Sequence, residues 1–197
     1  MAEAPGLKDI TRRALERMRR QLALSARGED PWERLYRIPA SKAGLGSQHE
    51  FTWYLEGQSS VQVGSVEELC EWLLGCEYAE DRELFNEADF WQHPSTFERL
   101  RRGDCEDHAI WAWRKLNEIG VEAELMLGTW HPSGGEPGGH AWVRFNDGTE
   151  TWILESVGAA SNTMLRRFAD VRDEYSPGAG VDRNCNVHAY AGMWRHG

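Results

Sequence analysis

A chain of 197 residues, 41% hydrophobic and 27% charged, has the length and composition of one soluble globular domain with short appendages. Its net charge of −10 argues against a nucleic-acid partner, because phosphate binding wants the opposite sign, and no run approaches the roughly 18 apolar residues of a membrane span. Four cysteines, at positions 70, 76, 105 and 185, have neither CxxC pairing nor zinc spacing, so free thiols, no metal and no cofactor are expected.

In chain order, residues 7–27 read as an amphipathic helix carried by Leu7, Ile10, Ala14, Leu15, Met18 and Leu22. Residues 1–28 hold seven of the 22 Lys/Arg and three of the 32 Asp/Glu, leaving 15 basic against 29 acidic residues beyond them. Such a basic helix packs locally or docks on an acidic surface. The first residues contain no apolar leader segment, so a cytoplasmic location is expected. A Gly/Ser/Pro-rich loop follows to about residue 48, and the division expected is 1–48 as appendage and 49–197 as catalytic domain.

Phe51–Leu55 and Val61–Val63 read as a strand pair. Ser65 with Glu68, and Ser95 with Glu98, have the capping-box spacing and predict two short helices, the first ending near Gly75 and the second near Arg102. A longer helix starts after Asp104, which can cap it, with Asp107 at its third position offering a second carboxylate to the exposed amides, and stops at Gly120. Val121, Ala123, Leu125 and Leu127 alternate with Glu122, Glu124 and Met126 in strand period. The glycine-rich loop His131–Gly139 follows; its composition predicts a mobile cleft wall. Strands at about 140–146 and 149–155 flank Asp147-Gly148, a hairpin signal. The tail reads as a helix over Met164–Val171, a Pro/Gly turn region, and a strand over Val187–Trp194.

Cys105 falls in the first turn of the helix after Asp104, on the side that carries Ala109, Trp113 and Leu116. A thiol at a helix N-terminus faces unpaired amides and the positive end of the dipole, which favours thiolate, the nucleophilic form. The carboxylates of Asp104, Glu106 and Asp107 push the other way and call for a nearby imidazolium. If Asp147-Gly148 is a two-residue turn, Trp142 faces Ile153 and His140 faces Glu155. Opposed residues share a face and lie roughly 4.5–5.5 Å apart at Cβ, within reach of an imidazole–carboxylate bond. One ring nitrogen would then be held and the other left for a thiol. His108, one turn after Cys105, points away from this hairpin.

The stretch Gly103-Asp104-Cys105-Glu106-Asp107-His108-Ala109, followed by a helix, resembles the nucleophile motif of the transglutaminase-like superfamily, especially its bacterial cysteine peptidases. Gly139-His140-Ala141-Trp142-Val143 resembles the base motif. Ile153-Leu154-Glu155-Ser156 sits where the third motif usually carries Asp, and Trp91-Gln92-His93-Pro94 through Arg101-Arg102 is similar to the segment before the nucleophile. The resemblance covers about residues 90–157. It implies an α+β, papain-like core in which the nucleophile helix packs by its N-terminus on an antiparallel sheet, with Cys105, His140 and Glu155 as a catalytic triad.

An oxyanion would be held by the Cys105 amide and a side chain from the upstream run, Gln92 or Trp91. His131, bordering the glycine loop, and Trp142 are the candidate substrate contacts. The activity expected is a thiol peptidase or amidase acting on a protein or peptide through a thioester. The alternatives are a transglutaminase, in which an amine resolves the thioester, and a non-catalytic binding module on the same fold.

Overall fold

The computed structural model of the protein describes residues 49–158, 161–190 and 194. The chain divides into Met1–Arg37 and Ile38–Gly197, and the basic helix expected over 7–27 lies outside the described residues.

The sheet has six strands, all neighbours antiparallel: β3 (Glu122–Trp130), β4 (Gly138–Asn146), β5 (Thr151–Leu154), β6 (Leu165–Arg167), β7 (Tyr175–Val181) and β8 (Val187–Ala189), in the order β6-β5-β4-β3-β7-β8. The short strands β1 (Glu77–Tyr78) and β2 (Arg102–Gly103) pair in parallel apart from it. Helices α1 (Phe51–Leu55), α2 (Val66–Leu73), α3 (Asp81–Leu84) and α4 (Pro94–Leu100) precede the long helix α5 (Cys105–Glu118). The architecture is α+β, with α5 laid on an antiparallel sheet.

Helix α5 is buried from Glu106 to Leu116 because it is packed from two sides. Ala109, Trp113 and Leu116 belong to the same core as Leu125, Ala141, Val143 and Leu154 of the sheet. On another side Trp111 stacks on Trp72 at 4.0 Å between centroids. Gly120, at φ +79°, ends the helix as expected. A second cluster gathers Met126, Trp142, Ile153 and Tyr175 from the other face of the sheet with Val171 and Tyr190 from outside the strands.

Several local expectations need correction. Phe51–Leu55 is a helical turn whose Phe51, Trp53 and Tyr54 are buried, so its aromatics fill the core rather than alternate across a strand. Ser65 does cap α2 by accepting from Glu68 N, but the second expected box is different. There the cap is His93, whose Nδ1 accepts from Ser95 N ahead of Pro94 in the first turn, and Glu98 is buried. Glu98 takes the indole of Trp111 and the amide of Ser60 and lies 3.4 Å from Lys115 Nζ. The turn region expected after Val171 is strand β7, internal to the sheet. Pro177 is tolerated there because the register with β3 shifts between Leu127 and Gly128, where the ladder needs no donor. The tail helix is broken into Ser161–Met164 and Phe168–Val171 by β6.

The hairpin register also differs. Asn146 faces Thr151 and Val143 faces Leu154, so the connection has four residues rather than two. Asp147 organises it: Oδ1 accepts from the amides of Thr149 and Glu150, both at 2.8 Å, and Oδ2 from the Trp152 indole. The slip moves each pairing by two positions and therefore keeps every side chain on its predicted face.

Candidate active site

Cys105 is the first residue of α5, and the extended backbone of Asp104 makes the cap position. The Asp104 side chain does not cap, contrary to expectation; it shares a hydrogen bond with Glu106. Asp107 does not serve the exposed amides either. It is buried and accepts from the Gln92 amide at 2.7 Å and from the Gln92 side chain, which ties the 91–93 segment to the helix start. A Cβ at Gly103 would collide with Asp107 and Gln92, so the glycine two residues ahead of Cys105 is a packing requirement.

His140 and Glu155 meet as a diagonal pair, since the ladder would set Trp142 opposite Glu155. His140 Nε2 lies 2.9 Å from both Glu155 oxygens. A carboxylate only accepts, so Nε2 carries the proton and a neutral ring keeps the Nδ1 lone pair open. Glu155 is fixed in turn by the Tyr175 hydroxyl at 3.2 Å and by its own amide, which donates to Met164 O at 2.7 Å. The next carbonyl, Ser156 O, accepts from His108 Nδ1 at 3.1 Å, so His108 spans from α5 to the segment that holds Glu155.

A cleft of about 340 Å³ is lined by Cys105, Glu106, His140 and Ala141, with Asp89 and Trp91 also in its wall. A larger cavity of about 580 Å³ lies elsewhere, around Glu124, Arg144 and Tyr190, and contains neither Cys105 nor His140. The Cys105 thiol donates to Glu106 Oε2 at 3.2 Å. Burial first, then the charges of Glu106 and Asp104, push this thiol well above its ordinary range, while the Ala141 amide pulls the other way. The thiolate preference expected from the helix end is therefore outweighed here by desolvation and neighbouring acids. Those acids are raised themselves, chiefly by burial: Glu106 to about 7, Asp81 to about 7 and Asp104 to about 9, with Asp107 also well up.

The sequence places Asp104, Glu106 and Asp107 together at the helix start but hides Asp81 and Asp89, which come from separate elements. Asp81, Asp104 and Asp107 each place an oxygen within 4.8 Å of the others, and so do Asp81, Asp89 and Glu106. Oδ1 of Asp81 and Oδ1 of Asp104 are buried without a hydrogen-bond partner. Crowded, partly orphaned oxygens are donors that suit a hard divalent cation such as Ca²⁺. Tyr175 was missed too, since nothing near it in sequence marks it.

Other expected site residues are corrected. Gln92 is buried, and its side-chain amide is committed to Arg102 O and Asp107, which leaves Trp91 as the upstream side chain in the cleft wall. The Trp91 indole donates to Asp89 Oδ1 at 2.8 Å. Trp142 is fully buried behind the sheet against Tyr175 and touches no substrate space. His131 is exposed, 3.0 Å from Ser176 Oγ, and does not line the cleft. Of the glycine loop only Gly139 lines it, as a residue of β4.

No curated protein matches this chain. Among solved structures it is similar to calcium-bound LapG of Legionella pneumophila, with a TM-score of 0.49 and 19% identity over 66% of this chain and 69% of that one. A second structure of the same LapG gives a TM-score of 0.48 and 21% identity over 64% of this chain and 67% of that one. For a candidate cysteine protease of Cytophaga hutchinsonii the TM-score is 0.38, with 16% identity over 67% of this chain and 49% of that one. The family model described as the transglutaminase-like superfamily matches residues 54–154, just over half of the sequence, and the chain belongs to that superfamily.

Proposed function

We propose that the protein is a cysteine-dependent acyl-transfer enzyme, a peptidase or amidase in which Cys105 is the nucleophile, His140 the base and Glu155 the residue that orients the ring. The reading rests above all on the double contact of His140 Nε2 with Glu155 beside a cleft that also contains Cys105. His140 Nδ1 takes the thiol proton as sulfur attacks the carbonyl carbon. The oxyanion is held by the Cys105 amide, a free donor in the first turn of α5; the Trp91 indole borders the cleft but is already given to Asp89 Oδ1. The imidazolium then returns its proton to the leaving amine, and water attacks the thioester with the same ring as base.

Tyr175 and the backbone around Ser156 keep Glu155 in place, so the ring does not have to be ordered during turnover. Asp81, Asp104 and Asp107, with Asp89 and Glu106, would hold a divalent cation, and its charge would offset the acids that now oppose thiolate formation. A panel of short peptide anilides tests the proposal. Hydrolysis by the folded protein that disappears in Cys105→Ala supports it, and hydrolysis unchanged in that variant defeats it. Adding a primary amine to the same assay separates transfer to an amine from hydrolysis, because only transfer yields the amide of the added amine.

A further inference from the structure

Tyr78 is a large aromatic left without a structural role. It is 55% exposed, its hydroxyl has no hydrogen-bond partner and its ring meets no other ring among the described residues. Its position is nevertheless fixed. Tyr78 pairs with Gly103, two residues before the nucleophile, and Ala79 N donates to Gly103 O at 2.9 Å. Glu77 N donates on the same side to Arg101 O at 2.8 Å, so strand alternation turns the main chain of Tyr78 to the open edge of β1. Partial burial first, then the neighbouring Cys105, Asp104, Glu106 and Glu80, raise the phenol to about 12. Tyr78 is not among the residues that line the cleft itself; it stands beside it, on a strand hydrogen-bonded to Gly103, two residues ahead of Cys105.

Apart from the Cys105 thiol, the ionisable side chains that line the cleft next to Tyr78 are acidic or imidazole. Asp89 and Glu106 line the cleft, and neither Lys nor Arg does. Arg102, the cation on the strand that pairs with β1, is taken by Glu77 at 3.1 Å and Glu83 at 2.7 Å. An open strand edge, an exposed ring face and a negative rim match an extended chain with a cationic side chain.

We propose that Tyr78 is the specificity-determining contact of this cleft and receives a lysine or arginine side chain of an extended peptide substrate. The assignment rests on Cys105 being the nucleophile, and its test reads the thiol without requiring turnover. Iodoacetyl peptides that differ only in Lys or Glu at one position are compared, with neutral iodoacetamide as the reference reagent, for their rates of modifying Cys105. The Lys probe should react at least about tenfold faster than the Glu probe at low salt, and the gap should narrow as salt is raised. Tyr78→Ala should slow the Lys probe about two- to fivefold, the range of an exposed cation–π contact, and leave iodoacetamide unaffected; Tyr78→Phe, which keeps the ring face, should restore the rate. Equal rates for the two probes, or a Lys/Glu ratio unmoved by Tyr78→Ala, would overturn the assignment and leave the nucleophile standing. No modification of Cys105 by any reagent would overturn both.

Discussion

The sheet side and the helix side of the cleft balance charge in opposite ways. On the sheet, His140 Nε2, the Glu155 carboxylate and the Tyr175 hydroxyl form a chain in which each donor meets an acceptor. At the start of α5, Cys105 sits among Asp104, Glu106 and Asp107, with Asp81 nearby, and burial holds all of these acids above their ordinary range. The proposed base, His140, is oriented by fixed partners. The proposed nucleophile, Cys105, is positioned by the same helix end whose acids resist its ionisation. Position and protonation are thus separate problems, and a cation or a positively charged substrate acts on the second alone.

The largest effects should come from removing either half. Cys105→Ala should abolish turnover, and His140→Ala should come close, because no other described residue offers a base to the thiol and an acid to the leaving amine; kcat/KM on a substrate of the wild type reads both. Glu155→Gln should cost about tenfold to a thousandfold, or roughly 1.4–4 kcal/mol. Glu155→Asp should lose as much as Gln despite keeping its charge, because a diagonal pair is roughly 7–8 Å apart at Cα and needs the extra methylene. Full activity of the Asp variant would mean that the ring and carboxylate meet in direct register.

An intermediate effect concerns stability. A carboxyl whose folded pKa lies above its unfolded value stabilises the fold only while protonated. Its contribution is complete below the unfolded value, about 4 for Asp and Glu, and is lost as pH rises through the folded value. With Glu106 and Asp81 at about 7 and Asp104 at about 9, the melting temperature should fall between pH 5 and pH 8. Millimolar Ca²⁺ at pH 8 should restore it by a few degrees, because a ligand of the folded state stabilises that state. A melting temperature that rises over this interval in the absence of Ca²⁺ would show that the acids are not strained. The smallest effect expected is from Tyr175→Phe, about two- to tenfold in kcat/KM, the value of one hydrogen bond to the orienting carboxylate.

The sequence made some features legible for physical reasons and hid others. Cys105 is marked by its place at a helix start and by apolar spacing, which depend on neighbours within one or two turns, although Asp104 caps with its backbone position and not its side chain. His140 and Glu155 were marked by hairpin alternation, and the contact survived a wrong turn length because a shift of two positions preserves the face. Gln92 and Trp142 were misread because burial, which sequence position does not give, commits Gln92 to Asp107 and puts Trp142 in the core behind the sheet. Strand β7 was hidden by Pro177 and its glycines, which a register shift accommodates. Tyr175, carried on that strand, was hidden with it. The acid cluster joins the turn at Asp81, the loop at Asp89 and the start of α5, and no local pattern connects them.

The central claim is that the thiol of Cys105 takes up an acyl group and gives it to water. It is tested most directly by mixing the folded protein, with and without millimolar Ca²⁺, with a simple active ester such as p-nitrophenyl acetate and following intact mass and peptide maps over time. The account predicts a single acetyl group on Cys105 that forms and then decays in the wild type, and none on this peptide in Cys105→Ala. Acetylation spread over Cys70, Cys76 and Cys185 with Cys105 unmodified would contradict it.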